Sequence, residues 1–467
     1  MTGIFAFKEV LETIKGRNQA IWGESARILL QCTILVAIEP LIAGTFAEIN
    51  LNTNGILQTM RPLRFAMVTT FYPPYSFGGD GIFVRRLAKS LAARGHHVEV
   101  IHDTDAYRQM SGKTPENGPN DPELTVHALS SASPLLASLA VQQTGLPLSH
   151  RSRLNALLAD QFDVINYHNV SLIGGPGTWA CGEAIKLHTA HEHWLVCPSH
   201  ILWRDNKEIC DSRRCIRCQL RHGRPPQSWR ATNLLDAKAR HVDAFLMLSR
   251  SSMHNHRKFG FGHEMTMLPT FLPDAPDLPA AAPIHPRPFF FFAGRLEVIK
   301  GLQDVIPAFD DDVPADLLIA GDGDYLDTLR DLARGRDNVH FLGRLPEEDL
   351  RRYYRDAVAT ITPSRCYEVF PLVVLESFRE GTPIIARNLG PYPEIVEDTG
   401  GGVLFDTPAD LKAALIRLAT EPALRDGLGA AGHAGFTARW QEDVAIEAYL
   451  KIVSDVAARK GVTLDMG

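Results

Sequence analysis

Two cations stand just past an apolar run. Arg295 and Lys300 follow Phe289 to Phe292, with Gly294 before them and Gly301 after. Arginine offers a planar fork of donors, lysine a compact charge, and a helix start beside them adds roughly half a positive charge. That combination suits a diphosphate, with a pair of solvated surface cations as the alternative. Downstream, Ser364-Arg365-Cys366-Tyr367-Glu368-Val369-Phe370-Pro371-Leu372-Val373-Val374-Leu375-Glu376 carries two carboxylates in a Glu-x7-Glu pattern. The spacing puts Glu368 in a loop, Pro371 at the first helical position, and Glu376 inside an apolar helix. A carboxylate there needs a hydrogen-bond partner. Paired sugar hydroxyls would serve, and so would a structural donor. The Val369, Phe370 and Leu372 amides point out of the helix start without an intrahelical acceptor, whereas Pro371 has no N–H.

The first half of the chain carries further chemistry. Phe71-Tyr72-Pro73-Pro74 leads to Gly78-Gly79-Asp80-Gly81, where glycines let a ligand approach the backbone. Gly79-x-Gly81-x-x-Val84 with Asp103 approximates a dinucleotide fingerprint, but Val stands third and the loop is too long for the tight turn. Thr189-Ala190-His191-Glu192-His193-Trp194 follows an apolar run, with His193 read as structural and His191 as either buried or ligand-facing. Cys197, Cys210, Cys215 and Cys218 form C-x12-C-x4-C-x2-C. Four thiolates can close a tetrahedral site, so a structural zinc is the first reading, with an iron–sulfur cluster or free thiols as alternatives. Cys32, Cys181 and Cys366 have no partner by spacing. Arg204, Lys207, Arg213, Arg214, Arg217, Arg221 and Arg224 surround the cysteines, as a site for an anionic, lipid-diphosphate acceptor or as a solvated rim. Asp310-Asp311-Asp312 reads as a solvated turn, and Asp322-x-Asp324 as part of a glycine loop without metal.

Strands and helices must position these groups. Apolar runs at 65–68, 98–101, 163–166, 186–189 and 244–248 alternate with amphipathic stretches, such as Phe83, Val84, Leu87, Leu91 ending at Arg94-Gly95-His96. This alternation predicts a parallel sheet covered by helices. Residues 269–288 hold Pro269, Pro273, Pro276, Pro279, Pro283, Pro286 and Pro288, a stiff interdomain linker. Alternation restarts with strands at 289–292, 317–320, 339–342, 357–362 and 383–386. Two doubly wound units are expected to face each other across a cleft, with ligands at the carboxyl ends of their strands. The expected division is 1–59 as a non-core extension, 60–270 and 271–440 as two Rossmann-like domains, the first with a Cys-rich insert at 197–218, and 441–467 as a helix crossing back to the first domain.

The spaced combination resembles the retaining nucleotide-sugar glycosyltransferases called group 1 glycosyl transferases, similar to glycosyltransferase family four, with the two-domain GT-B fold. The matching residues are Gly294-Arg295-Leu296 with Lys300-Gly301, Gly321-Asp322-Gly323, Phe341-Leu342-Gly343, the Glu368–Glu376 pair and Gly390 through Glu394. The resemblance implies a hexosyl transfer from a nucleotide diphosphate sugar to a glycan or lipid-linked acceptor, with retention of configuration. It implies that Arg295 and Lys300 hold the diphosphate, that Glu368 contacts sugar hydroxyls, that Glu376 binds the ribose, and that His191 hydrogen-bonds the sugar. Gly79, Gly294, Gly343, Phe370 and Leu372 complete the donor site. No catalytic metal is implied. Glu192 stands where the family usually has Asp, and Val369 where it often has Gly, which is expected to crowd the loop beside the sugar. A catalytically silent GT-B binding or assembly protein would be expected to lack some of these donor groups. A nucleotide-sugar epimerase of similar architecture is the third reading.

Composition narrows the remaining classes. The chain has 467 residues, 48 Lys+Arg against 54 Asp+Glu, and 45% hydrophobic residues, which excludes disorder, collagen and a coiled-coil rod. Its net charge of -6 argues against a nucleic-acid binder. Seven cysteines over this length are no disulfide framework, which points to a reducing, cytoplasmic setting; peripheral contact at the inner face of a membrane is expected only with the lipid-linked acceptor that the resemblance implies. Residues 28–44 are the most apolar stretch, but Gln31, Glu39 and Pro40 interrupt it, so it is read neither as a spanning helix nor as a signal peptide.

Overall fold

The computed structural model describes residues 61–464 apart from 116, 117, 160, 274 and 280. The expected extension at 1–59, with its apolar run and Cys32, lies outside the described residues.

Near-continuous apolar runs suit parallel strands buried on both faces. In the first half they form β1 (Arg64–Thr69), β2 (His97–Asp103), β3 (Thr125–Leu129), β4 (Val164–Tyr167) and β5 (Ile185–Ala190). A short antiparallel hairpin, β6 (Trp203–Arg204) with β7 (Glu208–Ile209), precedes β8 (Ala244–Met247) and β9 (Met265–Met267). The seven long-range strands form one parallel sheet in the order β3-β2-β1-β4-β5-β8-β9. The second half forms β10 (Phe289–Ala293), β11 (Asp316–Ala320), β12 (Val339–Gly343), β13 (Ala359–Thr362), β14 (Ile384–Arg387) and β15 (Gly402–Phe405). Their parallel order is β12-β11-β10-β13-β14-β15.

Both sheets therefore reverse their winding beside their first strand. Phe65 of β1 pairs with Val98 on one side and Val164 on the other, as Phe290 of β10 pairs with Leu317 and Ala359. Loops diverge at such a reversal and leave a crevice at the carboxyl edge. The four consecutive phenylalanines of β10 show how the sheet is held. Phe289 and Phe291 pack with Tyr354 on one face, whereas Phe290 and Phe292 pack with Phe309 and Leu415 on the other, as strand alternation requires.

The described residues of 269–288 contain no helix or strand, only a bridge from Leu272 to Gln441. The helix Glu442–Lys460 packs on the first sheet, where Tyr449 accepts from Asn166 Nδ2 at 3.3 Å and Lys460 pairs with Asp243 at 2.8 Å. Among the described residues, no helix is long and apolar enough to cross a membrane. Three strands carry no strong sequence signal. β3 is an edge with exposed Thr125 and Val126, β9 has three residues, and β15 begins at a glycine whose added Cβ would press on the Ile384 backbone.

The first sheet buries His168, His188, His193 and His256. Burial holds His188 near 3 and His256 near 4, and His168 and His193 well below the ordinary value of 6.5. The unfolded chain takes up protons below that value while the folded chain does not, so this stability is complete above about pH 6.5 and declines as pH falls. The melting temperature is expected to drop steadily from about pH 7 to pH 5; a flat profile over that range would contradict the burial of neutral imidazoles.

Candidate active site

The loops at the carboxyl edges of both sheets border one cleft of about 860 Å³. The second sheet brings Arg295, Lys300, Glu368, Val369, Phe370 and Leu372 to it, and the first brings Gly79, Asp80, Asn169, His191 and Glu192.

Glycines let the loops of the second sheet stack. A Cβ on Gly321 would overlap the Gly294 carbonyl, and one on Gly323 the Leu296 carbonyl. Gly321 N donates to Gly343 O at 2.7 Å. Gly294 and Gly343, expected at the donor, do not line the cleft; they build the loop stack beneath it. Gly301 has a positive φ of 79°, and a Cβ there would overlap the Pro363 carbonyl. The loop after β10 can therefore lie against the loop after β13, with Arg365 N donating to Ile299 O at 2.7 Å.

This contact sets Lys300 Nζ 2.7 Å from Glu368 Oε1, which also accepts from Ser364 Oγ at 2.8 Å. Burial alone would raise the Glu368 carboxyl, but the Lys300 ammonium, the Ser364 hydroxyl and Arg295 outweigh it and hold it below the usual range. Burial would lower Lys300, and Glu368 outweighs it in turn. Both groups stay charged at the cleft wall. Arg295 differs: its side chain is 64% exposed and touches Glu297 at 2.8 Å, so it is free to turn into the cleft.

The expected place of Pro371 at the first helical position is corrected. The helix after Glu368 begins at Leu372, with Pro371 in extended conformation at its cap. The helix after β1 begins at Gly79, with Gly78 at its cap and Gly79, Asp80 and Gly81 in its first turn. Glu376 does not line the cleft; its Oε2 accepts from Tyr354 OH at 2.7 Å.

Across the cleft, a Cβ on Gly79 would meet Leu372 Cδ1 of the opposite lobe at 3.4 Å. Asp80 accepts from Asn169 Nδ2 at 3.1 Å and from Gly81 N at 2.8 Å, and burial followed by the Glu192 charge raises its carboxyl. His191 Nε2 lies 3.0 Å from His168 Nδ1, and burial holds His191 near 3. It is a neutral hydrogen-bonding group at working pH. Asp80 and Asn169 escape sequence reading because their contact depends on β1 and β4 becoming neighbours. Glu192 Oε1 sits 2.7 Å from His200 Nδ1, which ties the Cys-rich insert to the cleft.

The four insert cysteines line a small cavity of their own, and Asp205 N approaches Cys218 Sγ at 3.5 Å. Among the described residues, no three of the four cysteine sulfurs lie within 4.8 Å of one another, whereas two other groups do: His285, Asp316 and His340, and Asp103, Asp105 and His150. Arg287 occupies Asp316 at 2.9 Å, and amides and Ser131 occupy the other two carboxylates, so both read as polar clusters. Of the basic rim, Arg204 and Arg221 are paired with local acids while Arg224 reaches the cleft. Lys412 bridges Asp310 at 2.7 Å and Asp312 at 2.6 Å, as a solvated turn would.

Residues 276–434 match the family described as glycosyl transferases group 1, and residues 77–275 match glycosyltransferase family 4. The second half of the chain belongs to the group 1 glycosyl transferases, and the two matches together make the chain a glycosyltransferase. A GDP-mannose-dependent phosphatidylinositol monomannoside mannosyltransferase of Corynebacterium glutamicum is 36% identical over 168 residues, covering 34% of this chain and 43% of that protein. Glycogen synthase of Mycobacterium tuberculosis is 29% identical over 77% of this chain and 87% of that one. Sucrose-phosphate synthase from Thermosynechococcus elongatus superposes with a TM-score of 0.63 at 21% identity, over 85% of this chain and 100% of that chain. Anabaena HepE in complex with UDP-glucose gives 0.60 at 15% identity, over 84% and 100%. The fold of this glycosyltransferase is GT-B.

The two cations differ in what their removal leaves behind. Lys300→Ala strands a partly buried Glu368 carboxylate and is expected to cost about 1–3 kcal/mol. Arg295→Ala removes an exposed group and is expected to cost under about 0.5 kcal/mol. Urea denaturation of both variants checks this; equal losses would contradict the placement of Lys300.

Proposed function

We propose that this glycosyltransferase binds the diphosphate of a nucleotide sugar with Arg295 and Lys300, and transfers the sugar with retention of configuration. The observation that carries the reading is the set of charges at one strand edge: Arg295 and Lys300 after β10, with Glu368 after β13, opposite His191. As the glycosidic bond breaks, negative charge gathers on the diphosphate. Lys300, held in place by Glu368, and Arg295, turned onto the diphosphate, stabilise that charge more in the transition state than in the ground state. Glu368, held ionised, suits hydrogen bonds from sugar hydroxyls; His191, held neutral, suits the same role from the other side. In the front-side route the leaving phosphate oxygen takes the acceptor proton, so no protein base is required.

The acceptor side supports a lipid-linked substrate. Phe77, Met110, Leu135 and Leu139 line the first-lobe half of the cleft while remaining 43%, 57%, 62% and 41% exposed. Exposed apolar surface beside the cationic Arg224 fits a hydrocarbon chain next to an anionic head group. Such an acceptor calls for peripheral contact with a membrane, and six unpaired cysteines among the described residues suit its cytoplasmic face. A structural zinc among Cys197, Cys210, Cys215 and Cys218 belongs to the same reading. Ligation would draw together four thiols that already share one cavity.

A screen of UDP-, GDP- and ADP-sugars with a lipid phosphate acceptor tests the proposal, with anomeric configuration read by NMR and zinc measured on the same sample. One donor is expected to be consumed, its configuration kept, with about one zinc per chain. Arg295→Ala is expected to lower kcat by at least about 100-fold. An inverted product would overturn retention and point to Asp80 or Glu192 as a base; no consumption of any donor would overturn the reaction; absence of zinc would overturn the metal site.

A further inference from the structure

The two lobes meet at a contact that the donor site alone does not explain. Ser249, fully buried after β8, caps the helix Arg250–Lys258 by accepting from Ser252 N at 3.0 Å, and its hydroxyl donates to Val369 O in the opposite lobe at 2.6 Å. The next two amides of that helix start, Arg250 N and Ser251 N, have no intrahelical acceptor. They donate to the two carboxylate oxygens of Glu394, each at 2.9 Å. The Arg250 guanidinium lies on Asp398 at 2.9 and 3.0 Å. A helix of the first lobe is thus capped by a carboxylate of the second, where negative charge is favoured.

Glu394 and Asp398 sit on the helix Tyr392–Thr399. The same helix carries Tyr392, whose hydroxyl lies 3.4 Å from Ser364 Oγ, the group that donates to Glu368. The turn before it is equally close: a Cβ on Gly390, which has a φ of 62°, would meet Glu368 N at 3.5 Å. One short helix therefore touches the Glu368 network through Tyr392 and the opposite lobe through Glu394 and Asp398. Val369, next to Glu368, joins them a second time through its carbonyl.

We propose that Glu394 is a positioning residue for the transfer: it caps the Arg250–Lys258 helix only when the lobes are closed, and through its own helix it holds Glu368 in the place the donor sugar requires. Opening the cleft would strip two amides and one guanidinium of their partners and release the Glu368 loop together with them. The kinetic part of this inference rests on the glycosyl-transfer reading; the structural part does not.

Glu394→Ala and Glu394→Gln, with Arg250→Ala as the reciprocal change in the first lobe, provide the test. Each is expected to lower kcat at least about tenfold while nucleoside diphosphate affinity stays within about threefold of the parent, since the diphosphate cations are untouched. Small-angle scattering of each variant is expected to show a larger radius of gyration than the parent. Unchanged kcat and unchanged radius in folded variants would overturn the proposal, even if the melting temperature fell, because the contact would then serve stability alone. If the parent turned over no nucleotide sugar, the functional reading would fail, yet scattering would still decide whether Glu394 holds the lobes closed.

Discussion

A cation at a cleft wall must be held there before its ligand arrives. Lys300 and Glu368 meet this constraint together, 2.7 Å apart at the point where two loops converge. Alone, either charge would pay a desolvation cost in this position. Paired, each keeps the other ionised, and the pair presents an ammonium and a carboxylate at the cleft wall. The arrangement depends on backbone more than on side chains: Gly301 lets one loop lie on the other, and Gly321 lets a third support them.

The wider architecture follows from the same requirement. Each sheet reverses its winding beside its first strand, and the groups that define the cleft leave those strands or their neighbours. The second lobe supplies charge. The first supplies a glycine turn, a neutral imidazole and an apolar wall. Neither lobe forms the crevice alone, so the hydrogen bonds between them, at Ser249, Val369 and Glu394, matter to the reacting groups as well as to stability.

Much of this is legible in the sequence where the cause is local. The runs that became β1, β2, β4, β5, β10 and β11 are apolar enough to be buried on both faces, and their alternation with amphipathic stretches leaves little choice of fold class. Glu368 and the Arg295–Lys300 pair are legible because their spacing brackets strand ends. Other features depend on distant partners. β3 and β15 are edges, where burial no longer demands an apolar run. Glu376 lies on an apolar helix, and the Tyr354 hydroxyl that donates to its Oε2 is brought alongside only by the fold. Val369 lines the cleft, and its carbonyl is engaged by Ser249, a contact across 120 residues that no local pattern announces.

The account rests on a diphosphate being held by these cations, and calorimetry with nucleoside diphosphates and monophosphates tests that most directly. The parent protein is expected to bind the preferred diphosphate at least about tenfold more tightly than its monophosphate, and the Arg295→Ala, Lys300→Ala double variant to lose that difference. Equal affinity for the two nucleotides in the parent, or a difference that survives in the variant, would contradict it.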